Sequence, residues 1–333
     1  LQQFQRAAAL VCACEVIRRE ALERGDECWG HEPFRLGLWV GRRTTPNTTE
    51  QSAQAIASDH GHGGAGGLLG GIGSPAQLTN CPWCGTRIAP GRDIKVESYK
   101  AGRGLTLTYC GDTLGRCPFS PRQSGGEGLP VLVVDEEIYR RLPTMLIATV
   151  DKFAQMPWKG PVQMLFGQVE GKCSRHGYRS PEIEDSESHP KHGALMAAKT
   201  EPCNPLRPPD LIIQDELHLI TGALGTSVGL FEVAVETLSS WETLDGKPVR
   251  PLIVASTATV RNAHEQVRGL YGRQVEIFPP QVLDVADTYF SEEVAIDRDN
   301  PGRRYVGVSA QGVRLSSAEI RVAEVLLSAG QLL

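Results

Sequence analysis

The stretch that most constrains this chain runs from Pro208 to Ile220, Pro-Pro-Asp-Leu-Ile-Ile-Gln-Asp-Glu-Leu-His-Leu-Ile. Leu211, Ile212 and Ile213 form an apolar run without helical period, entered through two prolines. Such a run predicts a buried strand of a parallel sheet. Two adjacent acids, Asp215 and Glu216, and then His218 stand at its carboxyl end. Ligand sites of open α/β sheets lie outside the carboxyl ends of the strands. A carboxylate there can hold a magnesium ion, usually through water, and its neighbour can orient an attacking water. Acids after a strand also serve simply to open a helix, where the dipole favours them. Both roles stand at this point.

The rest of the chain alternates strand and helix patterns. Residues 1–24 read as an Ala-rich helix, apolar on one side and charged on the other. Phe34–Gly41, Pro130–Val134, Met145–Val150 and Pro251–Ala255 read as strands. Helices are expected near 49–57, after Asp135, from Asp151, over 226–241 and over 261–271. A short strand near Val275–Phe278 and a last strand–helix unit, Arg304–Ser309 with Ser316–Leu327, complete the series. Strands alternating with helices imply a parallel sheet with right-handed crossovers. The Gly-rich segment His60–Gly73 reads as a flexible linker, its G-x-G-x-x-G match an accident of composition. Residues 160–207 read as an irregular insertion.

Two strand ends carry polar groups suited to backbone phosphates, and the end of a third is polar as well. Arg42, Arg43, Thr45 and Asn47 follow the first strand. A solvated turn explains that loop equally well. Thr149, Asp151 and Lys152 follow a second, where a hydroxyl and a helix N-terminus offer a phosphate contact. Ser256, Thr257 and Thr259 follow a third. With a net charge of −5 over 333 residues, any nucleic-acid binding must use such a local groove.

Nine cysteines are many for a chain without disulfides. Cys81-Pro-Trp-Cys84-Gly85 is a metal knuckle, and Cys110 and Cys117 return on the far side of a predicted strand at Leu105–Tyr109. Four thiolates suit a structural zinc with no open position. That use points to a reducing compartment such as the cytoplasm. Cys173, His176 and Cys203, with His189 and His192 between them, are weaker candidates for a second zinc.

Several functions are excluded. Ala7–Val16 behind Arg6 resembles a signal core, but Glu15 and Arg18-Arg19-Glu20 interrupt it. No apolar run reaches the roughly 20 residues of a membrane span. His31-Glu32-Pro33-Phe34-Arg35 lacks the second histidine of a zinc protease. Gly167–Cys173 is one residue short of a phosphate loop and has cysteine in place of the serine or threonine.

Asp215-Glu216-Leu217-His218 at one strand end and Ser256-Thr257-Ala258-Thr259 at a later one resemble motifs II and III of superfamily 2 DExH-box helicases. Thr149–Phe153 resembles their motif Ib. The longer phrases Pro209–Ile220, Gly222–Thr226, Ala255–Thr259, Val267–Arg273, Leu38–Gly41 with Thr45–Asn47, and Leu1–Arg6 are similar to the helicase subunit of DISARM anti-phage systems. The resemblance implies an α/β fold, a RecA-like P-loop NTPase lobe with a zinc-ribbon-like insertion. It places residues 1–77 in the first part of the lobe and 78–120 in the insertion. The remainder of the lobe spans 121–280 and a linker with the start of a second lobe spans 281–333. It implies ATP and Mg2+ beside the zinc, DNA and other defence-system subunits as partners, and no membrane. Asp215 would hold the magnesium, Glu216 would polarise water, and His218 would couple the site to Ser256, Thr257 and Thr259. No G-x-x-x-x-G-K-[ST] occurs. The chain, which begins at Leu1, therefore reads as an internal piece that is inactive in hydrolysis by itself. A related motor acting on RNA or nucleoprotein, or a zinc-stabilised binding scaffold with a degenerate ATPase lobe, are the alternatives.

Overall fold

Four-residue apolar segments joined by helices can satisfy their backbone only by pairing in parallel across those helices. In the computed structural model of this protein they do so. The structure describes residues 2–61, 73–98, 104–183, 185–191, 196–220, 222–257, 263–280 and 282–332. Two units are distinguished, Leu1–Gln274 and Val275–Leu333.

In the first unit α1 (Gln2–Glu23) precedes β1 (Leu36–Trp39), α2 (Thr49–Gly61), the single turn α3 (Pro90–Asp93), β2 (Ile94–Ser98), β3 (Gly104–Thr108) and β4 (Val131–Leu132). Then come α4 (Asp135–Arg141), β5 (Met145–Ala148) and α5 (Val150–Gln155). Four short strands follow, β6 (Gly171–Cys173), β7 (Gly177–Arg179), β8 (Ser188–His189) and β9 (Ala198–Pro202). The unit closes with β10 (Leu211–Gln214), α6 (Gly222–Leu238), β11 (Trp241–Glu242), β12 (Pro248–Val249), β13 (Leu252–Ala255) and α7 (Ala263–Tyr271).

Strands β4, β1 and β5 form a parallel sheet in that order. One core packs Phe4, Ala8 and Val11 of α1 against Leu36 and Leu38 of β1 and Val131 of β4. Each valine, leucine or phenylalanine among them contributes about 1.5–3 kcal/mol when fully buried. The charge that breaks the apolar pattern of α1 is matched inside it. Glu15 is fully buried, bridged by Arg18 and Arg19 at 2.8 and 2.7 Å, and accepts the Phe34 backbone N–H at 3.0 Å.

Strands β10 and β13 pair in parallel, Leu211 opposite Leu252 and Gln214 opposite Ala255, as a separate ribbon among the described residues. The expected burial of this strand is only half realised. Ile212 packs against the core that contains Trp39 and Ile138, whereas Leu211 and Ile213 are 49% and 64% exposed. Alternate residues of a strand face opposite sides, and among the described residues nothing buries the second face.

Residues 160–207 depart from the irregular expectation. After a short 3-10 segment, β7, β6, β9 and β8 form a four-stranded antiparallel sheet in that order. Strands of two to five residues without apolar alternation leave no period to read in the sequence. In the second unit the last predicted helix forms, as α8 (Leu315–Leu332). The strand expected at Arg304–Ser309 does not, and Tyr305, Val306 and Val308 are exposed. Val275–Phe278, at the start of the second unit, is not a strand either. No helix among the described residues is long and apolar enough to cross a membrane. The core of the predicted linker, residues 62–72, lies outside the described residues.

Candidate functional site

The parallel register of β10 and β13 decides where the acid box goes. Gln214 and Ala255 are partners, so the next residues, Asp215 and Ser256, emerge side by side at the carboxyl end. Ser256 Oγ donates to Asp215 Oδ1, and Gln3 Nε2 of α1 donates to Asp215 Oδ2 at 2.9 Å. These two hydrogen bonds, Ser256 first, hold the Asp215 carboxyl below the usual carboxylate range. The box is tied to the same strand by its backbone. Ser256 N–H donates to Gln214 O at 2.9 Å and Leu217 N–H to Ser256 O at 3.0 Å. Gln266 of α7 clamps the following turn, its Nε2 donating to Leu217 O at 3.2 Å and Ile220 O at 3.0 Å.

Glu216 has left-handed backbone, φ 55° and ψ 44°. A residue with a side chain gives up about 1–2 kcal/mol to sit there, and such strain concentrates at functional sites. Its carboxylate and that of Asp215 are exposed, and Glu216 Oε2 lies 3.3 Å from His218 Nδ1. Two hard oxygen donors at a strand end suit a hydrated magnesium ion. Thr257 is exposed beside Ser256, while Thr259 lies outside the described residues. Neither Gln3, within the Leu1–Arg6 phrase, nor Gln266 has a role legible in the sequence, because single amides carry no spacing signal.

The two predicted phosphate-contact segments are neighbours, since β1 and β5 pair in parallel and Thr149 N–H donates to Trp39 O at 3.3 Å. Arg42, Arg43, Thr149 and Asp151 are exposed there. Thr45 is fully buried, its hydroxyl turned back to Val40 O at 3.5 Å, and Asn47 is half-buried with its N–H bonded to Gln51 Oε1. Thr45 therefore shapes the loop instead of facing a ligand.

Lys152 also departs from expectation. Its side chain is 2% exposed, and Nζ meets Asp135 Oδ2 at 2.5 Å, with the Trp39 ring centroid 5.8 Å away. Lys159 approaches the same carboxylate at 3.7 Å. The acids at 135–137, read as a helix start, do open α4, but Asp135 is also an internal counter-ion. Removing one partner of a buried pair leaves an uncompensated charge. Lys152→Met is expected to destabilise the protein by about 3–5 kcal/mol in urea unfolding, with Asp135→Asn added in the double variant recovering much of it. A change under about 1 kcal/mol, with weakened DNA binding, would return Lys152 to the phosphate contacts.

The four cysteines of the knuckle converge. Their sulfurs lie within 4.8 Å of one another, with Cys81 to Cys117 at 3.8 Å and Cys84 to Cys110 at 3.4 Å. A tetrahedral zinc with Zn–S near 2.3 Å places its sulfurs about 3.8 Å apart. The donor set and its spacing fit that ion. Gly85, with φ +75°, makes the turn after Cys84, and Asp112 organises the other loop by accepting from Leu114, Arg116 and Cys117 N–H. Burial pushes the Cys110 thiol up and the Cys117 thiol up to about 12. Burial also opposes ionisation of Cys84, but hydrogen bonds led by Thr86 outweigh it and bring that thiol down to about 7. Cys81, Cys110, Cys117 and Phe119 belong to the same core as α1 and β1, so this centre is built into the main unit.

For the second cluster the structure replaces one expected ligand. Cys173 and His176 are joined by His189, whereas Cys203 packs with the core around Trp39 and Tyr139, its N–H bonded to Glu170 O at 3.0 Å. Burial lowers His176 to about 4. His192 lies outside the described residues.

Among known proteins, the chain is similar to the DISARM protein DrmA of Bacillus paralicheniformis, with 36% identity over 334 residues, 98% of this chain. The chain spans 27% of the length of that relative. No protein-family model matches the chain.

Proposed function

We propose that this chain is the acid-box portion of an ATP-driven DNA helicase or translocase of superfamily 2, acting in a DISARM-type anti-phage system in the cytoplasm. The observation that carries the proposal is the Asp215–Ser256 hydrogen bond at the shared end of β10 and β13. It joins the group that would hold Mg–ATP to the stretch that would pass its state to DNA. The similarity to DrmA over 98% of the chain supports the defence setting. Magnesium bound to the nucleotide would supply charge neutralisation. Asp215 would hold it through water, Glu216 would orient the attacking water, and His218 would connect both to Ser256, Thr257 and Thr259. The fold assigned is one RecA-like lobe, with further subunits of the defence system as partners. The phosphate-cradling lysine is not in this chain, and the nucleotide's phosphates would be held by other parts of the longer protein.

DNA would cross the end of the β4–β1–β5 sheet, over Arg42, Arg43, Thr149 and Asp151. In the full-length protein, Arg42→Ala with Arg43→Ala is expected to weaken binding to all DNA sequences alike. The slope of log affinity against log salt should fall by about 1 per arginine. An unchanged salt slope would make the loop a turn only. A zinc-stabilised nucleic-acid-binding scaffold is the second candidate, favoured by the four-thiol centre. DNA-stimulated ATP hydrolysis by the full-length protein selects the motor, and DNA binding without hydrolysis selects the scaffold.

A further inference from the structure

The segment 160–207 carries donors of its own, and the register of its sheet brings them together. Cys173 on β6 stands opposite Thr200 of β9, and His189 on β8 stands opposite Ala198 of the same strand. Residues two apart on a strand share a face, so Cys173 and His189 share one face across β9. On its other side Cys173 pairs with Gly177, and His176 occupies the turn just before that glycine. The Cys173 sulfur and one ring nitrogen of each histidine lie within 4.8 Å of one another. All three residues are buried, at 2%, 4% and 9% exposure. The two imidazole rings meet edge to face with centroids 4.3 Å apart. Asp185, also buried, puts one carboxylate oxygen 2.9 Å from His176 Nδ1 and the other 3.6 Å from His189 Nε2.

The turn gives a second, independent indication. Cys173-Ser174-Arg175-His176-Gly177 repeats the layout of Cys81-Pro82-Trp83-Cys84-Gly85: donor, two residues, donor, glycine. Both glycines are left-handed, with φ +89° and +75°. At Gly177 a Cβ would also lie 2.3 Å from Arg140 O, so only glycine fits the turn against α4. The turn is fastened from outside. Arg140 Nη1 donates to His176 O at 3.1 Å and Arg141 Nη2 to Arg175 O at 3.0 Å.

We propose that Cys173, His176 and His189 bind a second zinc-class ion, with the Asp185 carboxylate orienting His176 through its Nδ1. One thiolate with two imidazoles suits zinc or cobalt over hard cations such as magnesium. A carboxylate on the distal nitrogen of a ligating histidine is a common support for its orientation. The ion has a physical task here. Strands of two to five residues bury too little to hold a sheet together. A cross-link from β6 and its turn to β8 fixes all four strands and seats them on α4. Cys203, in a neighbouring apolar core, takes no part.

The test is metal content and cobalt titration of the purified full chain. The wild type is expected to hold two zinc ions per chain, and His189→Gln is expected to hold one. Cys81→Ser, at the other centre, should not abolish the second ion. Cobalt added to metal-free wild type should titrate to two equivalents. One of these should show thiolate-to-cobalt absorption of a single sulfur and the other that of four. The cobalt titration decides even if His189→Gln does not fold. A single zinc in the wild type that His189→Gln retains, or a titration that ends at one equivalent with a four-sulfur spectrum, would overturn the proposal.

Discussion

Glu216→Gln in the full-length protein is expected to bind Mg–ATP normally and to lose at least about 100-fold in turnover, the scale of a missing general base. The amide keeps the size of the side chain and the left-handed backbone at φ 55°. It lacks the charge that orients and polarises water. Asp215→Asn should behave differently. Its carboxylate already accepts from Ser256 and Gln3, and an amide in its place gives a hard cation a poorer ligand, so Mg–ATP affinity falls first. His218→Ala should keep part of the basal rate and lose stimulation by DNA, since His218 lies 3.3 Å from Glu216 on the side away from Asp215 in sequence. Nucleotide affinity, basal rate and DNA-stimulated rate separate the three variants. Wild-type hydrolysis by Glu216→Gln would show that the acid box is not the reacting centre, and the scaffold would become the better description.

Much of this site is legible in the sequence because it depends on local pattern. An apolar run ending in two acids, and a second ending in Ser-Thr, are placed side by side by parallel pairing alone, whatever surrounds them. The knuckle Cys81-x-x-Cys84-Gly85 is legible for the same reason, as its turn geometry is written in five residues. What was not legible depends on contacts between distant segments. Lys152 at a helix start looks the same whether it meets a phosphate or Asp135, and only the packing of α5 over Trp39 decides for the latter. Counting along the chain offered Cys203 as a ligand beside Cys173 and His176, but strand register puts His189 on the right face and Cys203 in another core. The segment Arg304–Ser309, with Tyr305, Val306 and Val308, has residues that favour a strand, yet a strand also needs a partner, and composition says nothing about one.

Loss of the four-cysteine centre is expected to have the largest effect on folding. Cys81→Ser should remove that zinc and cost on the order of 5 kcal/mol or more, because metal affinity at a structural site is folding free energy. The damage should not stay within residues 78–120. Cys81, Cys110 and Cys117 are buried in one core with Phe4, Cys12 and Leu36, so α1 loses part of its seat against β1. Gln3, one residue before Phe4, then loses its fixed position beside Asp215. Hydrogen exchange should therefore show α1 amides losing protection together with those of β2 and β3. Acid should mimic the substitution. With Cys110 and Cys117 pushed upward by burial in the metal-free protein, zinc must displace their protons, and its affinity falls as pH is lowered. Zinc content against pH, read beside the unfolding midpoint, tests both statements. If chelation left the midpoint and the α1 protection unchanged, the four thiols would be ordinary buried cysteines, and the core of α1 and β1 would stand without a metal.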